Sequence, residues 1–563
     1  MKKIYGLAAL CAAMTLASCS NNDEPQVVEI NNGPAEIGYI GVTIATPDET
    51  RATTYEVGTP AENKVTDAML IVFNDDEVAD NRKVLDVVTF KPKTWVDGAT
   101  NSDIAKTSTT AVAITIPKAA QGETQKVVGE VMCILNPGTF TVAKTSNLTI
   151  DQVRKKVENF AAHTEGTFVM SSSAYGTTPK YTTSFKDKVY PTQSEAEDHA
   201  QNIYVERVLA KVTWTFVNGF GYKSDATPLK PSIDGTDTEL DVVVTGIEMA
   251  NEASETYLVK DVDQTTYNWP TFTVEGFTAH ETYRSHWATP MTDLDKKLTN
   301  RTYATIIDGF NMNRGKKSDP YYLYENTLNN ANQNTCVLIT AQLCKKGTTT
   351  GLTLYELGFN GKFYTEDATK GIKVQIANML YDDNYLKSDG NGGWTKIEPA
   401  DITFAAAPTA IGDNTTPNRA SYRGYAQLNT TTGLVIGKYS PSDGTTSAVT
   451  GNLTTVNNYL KTATGYQGKA MKYWVKKWAD GKCYYYKDIN ADEVGFPGVV
   501  RNHVYNLDLE TVVGMGTPIF DPDKPIIPEK PDSFDPGTPD ESYLGAKIHI
   551  LKWAVYSQGV NFD

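Results

Sequence analysis

The residue with the clearest chemistry in this sequence is Cys19, which ends the run Leu16-Ala17-Ser18-Cys19. A basic start, an apolar run and small residues precede it, as in a signal peptide. The run resembles a bacterial lipobox, in which cleavage precedes the cysteine and its thiol takes a diacylglycerol. We therefore predict a signal peptide over residues 1–18 and lipidation of Cys19. The alternative is an ordinary signal peptide with an incidental cysteine.

The remaining cysteines show neither a disulfide framework nor a zinc signature, because they are dispersed along a long chain. They are Cys133, Cys336, Cys344 and Cys483. A bridge between Cys336 and Cys344 is geometrically possible, but their spacing also fits one buried strand and its loop. We favour buried free thiols.

Signals for catalysis or metal binding are weak. The six histidines are scattered and form no HExxH or comparable cluster. They are His163, His199, His280, His286, His503 and His549. Asp75-Asp76-Glu77 and Asp382-Asp383 could bind calcium, but we favour solvated turns at both places. The Gly-rich stretch 389–393 lacks the helix and lysine of a phosphate-binding loop, so it is predicted to be a turn. We expect no enzyme activity, no cofactor and no metal.

Composition limits the class of protein. A chain of 563 residues is long enough for two or three domains with sizeable cores. Its net charge of −15 argues against nucleic acid as a partner. No apolar run after the signal peptide is long enough to span a bilayer, so membrane attachment would depend on Cys19. Abundant Thr, Tyr and Val with few long helical patterns favour an all-β, secreted-type protein.

An amphipathic strand is predicted near the N-terminus, over residues 36–46. Ile40, Val42 and Ile44 alternate there with small or polar residues. The polar run over residues 47–54 follows and has no apolar anchor. Such a loop is exposed and open to proteolysis, and it contains Arg51 followed by Ala52.

A second amphipathic strand is predicted over residues 546–557. Its apolar positions are Ile548, Ile550, Leu551, Trp553 and Val555. Their parity changes after Ile550, which predicts a kink or bulge. Residues 517–543 before it are rich in proline and acid, so we expect an extended linker that packs no core. A tethered amphipathic strand needs a sheet edge, either in its own domain or in another molecule.

Between these ends the pattern predicts two β-sandwiches with long loops. The clearest helix is predicted at 148–160, capped by Thr149, and residues 183–201 are predicted to be loop. A domain boundary is placed just before Ile203. The predicted strands are 65–74, 127–135, 203–217, 240–249, 335–343, 372–379, 470–475, 482–486 and 499–509.

At these residues the chain resembles the fimbrillins, subunits of the donor-strand pili called type V, and among them most closely the shaft subunits of short (minor) fimbriae. The resemblance is carried by the Leu16–Cys19 start, Val205-Glu206-Arg207-Val208-Leu209-Ala210-Lys211 and Val499-Val500-Arg501-Asn502-His503-Val504-Tyr505. The Pro/Asp linker and Ile548-His549-Ile550-Leu551-Lys552-Trp553-Ala554-Val555 complete it. These motifs mark both ends and the domain junction.

The resemblance implies a mechanism. Such a subunit is exported as an outer-membrane lipoprotein precursor, and an arginine-specific surface protease cuts after the first strand, at the position of Arg51–Ala52. The first strand, with Ile40, Val42 and Ile44, is then a placeholder. The C-terminal strand of a neighbour fills the vacated groove through Ile548, Ile550, Leu551, Trp553 and Val555, which builds a head-to-tail filament.

The resemblance also implies the organisation. Residues 1–18 are the signal peptide, 19–51 the lipidated propeptide, 52–201 and 202–516 two tandem transthyretin-like β-sandwiches, 517–545 the linker and 546–563 the donor strand. The expected partners are copies of the chain, accessory anchor and tip proteins, the protease, and host or bacterial surface receptors, in a fimbria that supports adhesion and biofilm or co-aggregation.

A competing hypothesis is a fimbrial tip adhesin or a surface glycan-binding lipoprotein. Exposed aromatic side chains could stack on sugars in that case. The candidates are Tyr321-Tyr322, Trp394 and Tyr484-Tyr485-Tyr486. A binder that does not polymerise would need neither the Arg51 loop nor the tethered strand.

Overall fold

The structure is a computed structural model of the whole chain. It describes residues 36–47, 58–78, 81–97, 104–116, 124–158, 168–176, 178–216, 229–265, 267–271, 279–280, 283–308, 319–330, 333–358, 361–406, 423–430, 433–465, 471–490, 496–512, 514–519, 522–523, 525–526, 544–551 and 556–557. The described chain is mostly β-sheet with few helices.

Among the described residues, the first part of the chain contains ten strands and two short helices. The strands are β1 (Glu36–Pro47), β2 (Ala68–Asn74), β3 (Val84–Phe90), β4 (Val96–Asp97), β5 (Ile104–Ile116), β6 (Val128–Leu135), β7 (Val157–Glu158), β8 (Met170–Ser172), β9 (Thr183–Ser184) and β10 (Gln201–Arg207). The helices are α1 (Ile150–Arg154) and α2 (Gln193–Asp198).

The second part contains the remaining elements. The strands are β11 (Leu209–Phe216), β12 (Ser232–Ile233), β13 (Thr236–Asp237), β14 (Leu240–Ala250), β15 (Thr256–Tyr257), β16 (Arg301–Thr302), β17 (Tyr321–Tyr324), β18 (Cys336–Lys345), β19 (Leu354–Leu357), β20 (Phe363–Tyr364), β21 (Tyr385–Ser388), β22 (Trp394–Lys396), β23 (Ile402–Ala406), β24 (Arg423–Leu428), β25 (Ile436–Ser440), β26 (Thr445–Ala448), β27 (Trp474–Trp478), β28 (Lys482–Asp488), β29 (Val504–Val512), β30 (Thr517–Pro518), β31 (Pro525–Ile526), β32 (Leu544–Leu551) and β33 (Tyr556–Ser557). The helices are α3 (Tyr303–Asp308), α4 (Ile372–Asp382) and α5 (Asn452–Thr462), and 3-10 turns lie at Leu294–Lys297, Pro399–Asp401 and Ala479–Gly481.

The first sheet has the strand order β3-β2-β6-β8-β10-β1-β5-β4, and β9 pairs with β6. Side chains from both halves of this sheet, such as Leu70 and Val72 of β2 and Val112 and Ile114 of β5, share one core. The sheet therefore curls over and encloses that core. We call this curled sheet the first sandwich. β2 is buried along its whole length because its alternate residues face a second core on the other side.

The second part forms a sandwich of a five-stranded sheet, β17-β11-β29-β32-β33, and a four-stranded sheet, β14-β18-β28-β30. Val212 and Trp214 of β11 meet Ile339 and Leu343 of β18 between them. An additional lobe follows, in which α4 and α5 pack against β19, β27 and β24. The sequence analysis did not predict this lobe.

An apolar core joins the two parts. Ile71 and Phe73 of β2 pack there with Leu258, Val259 and other residues from the loop after β15. The first sandwich is thus covered on one face by the second part of the chain, and the two are not separated by a loose linker.

Several sequence predictions are confirmed. Strands occupy the predicted positions at β2, β6, β14, β18 and β28. Thr149 caps α1 as predicted, in a reciprocal capping box with Gln152. The four described cysteines are free and buried, and Cys336 and Cys344 lie eight residues apart in the single strand β18.

Other predictions are wrong. The segment predicted as a strand at 372–379 is helix α4, because Ile372, Ile376 and Leu380 are spaced by four and bury one helical face. The helix predicted over 148–160 ends at Arg154. The predicted strand 203–217 is two strands that meet at Val208, and the first of them, β10, belongs to the first sheet. β10, which follows the predicted boundary, is therefore paired within the first sheet.

The start of the predicted linker is also packed. β30 pairs with β28, and β31 pairs with β16. Ile519 and Ile526 are buried in one core with Tyr303 and Leu338. The proline- and acid-rich composition of this segment predicted no core packing, but these two isoleucines pack in a core. The remainder of the predicted linker, 527–543, lies outside the described residues. None of the described helices has the length and apolar character needed to cross a bilayer.

Candidate strand-exchange site

β1 occupies the centre of the first sheet, with a partner on each edge. It pairs antiparallel with β5 from Glu36 opposite Ile116 to Pro47 opposite Ile104. On its other edge it runs parallel to β10 from Val42 onward, where Val42 lies opposite Gln201. Before that point Tyr39 and Tyr190 exchange two backbone hydrogen bonds of 2.8 Å. The strand therefore fills a slot that is hydrogen-bonded along both walls.

The inward face of β1 is apolar. Ile40, Val42 and Ile44 are fully buried, as their alternation predicts, and they pack in the core of the first sandwich. Burial of such side chains stabilises a fold by about 1.5–3 kcal/mol each. The slot thus offers both backbone pairing and a hydrophobic groove.

The outward face of β1 lies beneath α2. A Cβ atom added to Gly41 would overlap the carbonyl oxygen of Ala196 and lie 3.0 Å from the Cα of Ala200. Ala111, which faces Gly41 across the β1–β5 pair, donates its backbone N–H to Glu197 at 3.4 Å. Two small residues on adjacent strands therefore allow the helix to pack close to the sheet.

The sequence analysis missed α2, because residues 183–201 are polar. A helix-start signal is present in Thr192-Gln193-Ser194-Glu195, which has the S/T-x-x-E pattern. The Thr192 side chain accepts a hydrogen bond from the Glu195 N–H at 3.3 Å. Glu197 also pairs with Lys93, which ties the helix to the first sandwich.

The chain after β1 is fixed at the domain junction. Glu62 is fully buried and accepts from Lys211 at 2.8 Å and from the Tyr322 hydroxyl at 2.6 Å. Burial alone would raise the pKa of Glu62, but Lys211, Tyr322 and Arg207 together lower it. The carboxylate is held charged, so this segment stays attached to β11 and β17.

The two motifs that carried the resemblance meet at this junction. Arg207 donates to the Asn502 side chain at 3.1 Å and to the Glu62 carbonyl at 3.2 Å. Arg501 donates to the Leu258 carbonyl at 3.1 Å and to Glu325 at 2.7 Å. Both motifs therefore serve the connection between the two sandwiches.

A buried ion pair and a histidine pair complete the junction. Glu206 and Lys260 lie 3.0 Å apart and are both buried, so desolvation raises the pKa of Glu206 and lowers that of Lys260. His286 Nδ1 lies 3.2 Å from His503 Nε2, and His503 Nδ1 donates to the Arg501 carbonyl at 2.8 Å. Burial, with Lys260 and Arg284 nearby, lowers the pKa of both histidines well below the usual range.

The C-terminal strand lies at the edge of the five-stranded sheet. β32 pairs antiparallel with β29, with Ile548 opposite Leu507, Ile550 opposite Tyr505 and Leu551 opposite Val504. β33 pairs antiparallel with β32, and β32 itself continues through Ile550 to Leu551, where the kink was predicted. This strand therefore pairs within its own chain here.

Part of the predicted site lies outside the described residues. The structure places Ile40, Val42 and Ile44 together in the slot, and it places the backbones of Ile548, Ile550 and Leu551 on β29. Cys19, Arg51, Ala52, Trp553 and Val555 fall outside the described residues.

The aromatic candidates for glycan stacking are not an exposed platform. Tyr321, Tyr484 and Tyr485 are buried, and Trp394, Tyr322 and Tyr486 are partly buried. Tyr321 and Tyr485 pack in the core of the second sandwich. Burial therefore argues against sugar stacking at Tyr321, Tyr484 and Tyr485.

The acidic and glycine-rich segments considered as ion- or phosphate-binding sites form turns or hydrogen bonds within the chain. Asp383 accepts from the hydroxyls of Tyr459 and Tyr473 at 2.5 Å each. Asp389 accepts from the backbone of Asn391 and Gly393 in the β21–β22 turn. Within the ranges that the structure describes, no three His, Cys, Asp or Glu side chains are grouped as metal ligands.

Comparison with known proteins gives a family match near the end of the chain. Residues 476–559 match the family model of the C-terminal domain of fimbrillin, the major fimbrial subunit protein type IV. This range contains β28, β29 and β32. No curated protein matches the chain.

Solved structures of fimbrial proteins show remote similarity. A fimbrilin from Porphyromonas gingivalis W83 is 9% identical with a TM-score of 0.30, over 92% of this chain and 99% of that one. The tip fimbrial protein Mfa3 from Porphyromonas gingivalis is 11% identical with a TM-score of 0.24, over 88% and 98%. A fimbrial assembly protein from Parabacteroides distasonis is 12% identical with a TM-score of 0.27, over 55% and 84%. These scores are too low to carry an argument.

Proposed function

We propose that this chain is a structural subunit of a surface fimbria, of the shaft type, exported as a lipoprotein precursor through Cys19. The protein is cleaved after Arg51 and polymerises by strand exchange. The observation that carries the proposal is the position of β1 in the centre of a sheet, because residues 48–57 alone connect it to the chain that follows. Arg51 lies in that connection.

Release of β1 creates an acceptor. Once the strand leaves, β5 and β10 have unpaired backbone groups along facing edges, and the groove that held Ile40, Val42 and Ile44 is open. Unpaired strand edges are templates for another strand. A strand from a second copy restores both ladders by β-augmentation.

The rest of the subunit is held in place during this exchange. Glu62 and Asn63 follow the cleaved loop, and they are bound by Lys211 and Arg207. A cut after Arg51 therefore frees the strand before it and leaves the chain after it anchored. The precursor needs no rearrangement of the domain junction.

The donor is the C-terminal strand, with Ile548, Ile550, Leu551, Trp553 and Val555 as its apolar side chains. In its own chain the segment borders β29 at a sheet edge, and β11 remains on the other side of β29 when it departs. Burial of apolar side chains of this size contributes roughly 1.5–3 kcal/mol each before ordering costs. A head-to-tail contact of this kind does not close, so a filament of transthyretin-like sandwich pairs grows.

The proposed partners follow from this assembly. Copies of the chain form the shaft, accessory proteins anchor and cap it, and an arginine-specific surface protease starts maturation. Contact with host or bacterial receptors, and with it biofilm or co-aggregation, belongs to the assembled fimbria on the outer membrane.

The test is Arg51→Lys beside Arg51→Ala. Arg51→Lys keeps the charge but removes the side chain that an arginine-specific protease reads, so both variants are expected to give uncut monomers with β1 in place. Thr50→Ala, in the same loop, should be processed and should form SDS-resistant ladders. Wild-type ladders from an uncut Arg51→Ala chain would contradict the proposal.

A further inference from the structure

The close contact between α2 and β1 restricts which strand can occupy the slot. The atoms that a side chain at position 41 would meet, the Ala196 carbonyl oxygen and the Ala200 Cα, are backbone atoms. They cannot move aside by a rotamer change. α2 is also tethered by the Lys93–Glu197 pair, and the chain runs from it directly into β10. A strand that fills the slot therefore needs glycine beneath α2.

The C-terminal segment resembles β1 in sequence around such a glycine. Residues 38–44 read Gly-Tyr-Ile-Gly-Val-Thr-Ile, and residues 542–548 read Ser-Tyr-Leu-Gly-Ala-Lys-Ile. The tyrosine, the second glycine and the last isoleucine are identical. Ile40 corresponds to Leu544, and Val42 corresponds to Ala546, so the inward positions stay apolar.

We propose that the C-terminal segment enters a neighbour's slot in the same direction as β1, with Gly545 beneath α2. Leu544, Ala546 and Ile548 then take the places of Ile40, Val42 and Ile44. This register rests on the proposed strand exchange and specifies it. It keeps the incoming strand antiparallel to β5, the pairing that β1 itself has.

Registers that place the bulkier residues in the slot do not fit. If Leu551, Trp553 and Val555 faced the core, Lys552 or Ala554 would lie beneath α2, where a Cβ overlaps the helix backbone. Gly559, the other glycine after residue 545, has Gln558 beside it and no flanking pair of apolar residues. In the proposed register Trp553 and Val555 pass beyond the place of Pro47, so they contact the neighbour outside the slot.

Disulfide trapping tests the register. Thr43 and Thr109 face each other on the outward side, their hydroxyls are 3.1 Å apart, and Thr109 is exposed. Lys547 takes the place of Thr43 in the proposed register. Full-length subunits with Thr109→Cys and with Lys547→Cys are assembled together and oxidised. The four described native thiols are buried and free, so they give little background.

The expected result is a disulfide-linked dimer between Thr109→Cys and Lys547→Cys, with none between Thr109→Cys and His549→Cys. The intrachain pair Thr43→Cys with Thr109→Cys in the uncut precursor shows that position 109 reacts. Linkage through position 549, 551 or 553 in place of 547 would overturn the register and leave strand exchange standing. Polymers that give no linkage at any of these positions, nor at positions 550, 552 and 554 of the opposite register, would overturn strand exchange itself.

A size test is independent of oxidation. Gly545→Val places a side chain beneath the neighbour's α2 and is expected to abolish incorporation of that subunit as a donor. Gly559→Val is the matched control and should polymerise as wild type. Normal polymerisation of Gly545→Val would overturn the register.

Discussion

β1 and β32 are both amphipathic strands near a chain end, but the structure uses them differently. β1 is paired along both edges within the first sheet, and its apolar residues lie in that core. β32 borders the five-stranded sheet, with β29 along one side and the two-residue β33 on the other. A central strand cannot leave without opening a sheet, whereas an edge strand can.

Under the proposed strand exchange, this difference is consistent with displacement of β1 and donation of β32. Loss of β1 leaves two facing edges and an apolar groove, which favours immediate replacement. Loss of β32 leaves β17, β11 and β29 still paired with each other. In the proposed exchange, β1 is therefore the strand that is replaced and β32 the strand that is donated.

The largest expected effect compares two corresponding isoleucines. Ile44→Ala should lower the free energy of unfolding of the precursor by about 2–5 kcal/mol, because it opens a cavity in a closed core. Ile548→Ala should lower that of the same precursor by less than about 1 kcal/mol, because its strand is at a sheet edge. Urea denaturation of both variants measures this. Equal losses would remove the distinction between the two strands.

A lower pH is expected to destabilise the domain junction and not the slot. His286 and His503 have lowered pKa values in the fold, so the unfolded chain binds more protons as the pH falls below about 6.5. Stability is therefore complete above that pH and declines by up to about 1.4 kcal/mol per histidine per pH unit below it. Groups that face the pair include Lys260, Arg284 and His280, which add to the cost of protonation.

Urea midpoints at pH 7.5 and 5.5 measure this effect. His503→Asn should reduce the difference between the two midpoints, while His199→Gln on α2's C-terminal end serves as the control. An unchanged difference in His503→Asn would contradict the assignment of acid sensitivity to the buried pair.

The smallest expected effect on stability comes from deleting residues 544–563. The melting temperature of the monomer should change little, because β17, β11 and β29 remain paired with each other without β32. The truncated subunit should fail as a donor but still accept a strand, so it should shorten fibres when mixed with wild type. Light scattering and electron microscopy measure fibre length. A truncated monomer that unfolds would show that the strand belongs to its own domain.

The sequence predicts some of this arrangement for physical reasons. Alternation at Ile40, Val42 and Ile44 predicts a half-buried strand, and it is found. Ile372, Ile376 and Leu380 form a helix although their segment is apolar enough for a strand, since short apolar runs are ambiguous between the two. The central position of β1 depends on pairing with β5 and β10, far away in sequence, which local patterns do not contain.

Local sequence patterns also could not predict the buried junction. Glu206 pairs with Lys260 and Lys211 with Glu62, and these partners are distant along the chain. A signal was present, because Glu206, Arg207 and Lys211 interrupt an apolar strand pattern and need internal partners when buried. The partners themselves follow only from the fold.

The proposed strand exchange is measured most directly by the content of residues 19–51 in purified fibres, determined by quantitative mass spectrometry with N-terminal sequencing. Exchange of β1 predicts subunits that begin at Ala52, with the peptide containing Ile40, Val42 and Ile44 absent from the polymer. Fibres that retain this peptide in equal amount to the rest of the subunit would contradict it, because the slot would never have been vacated.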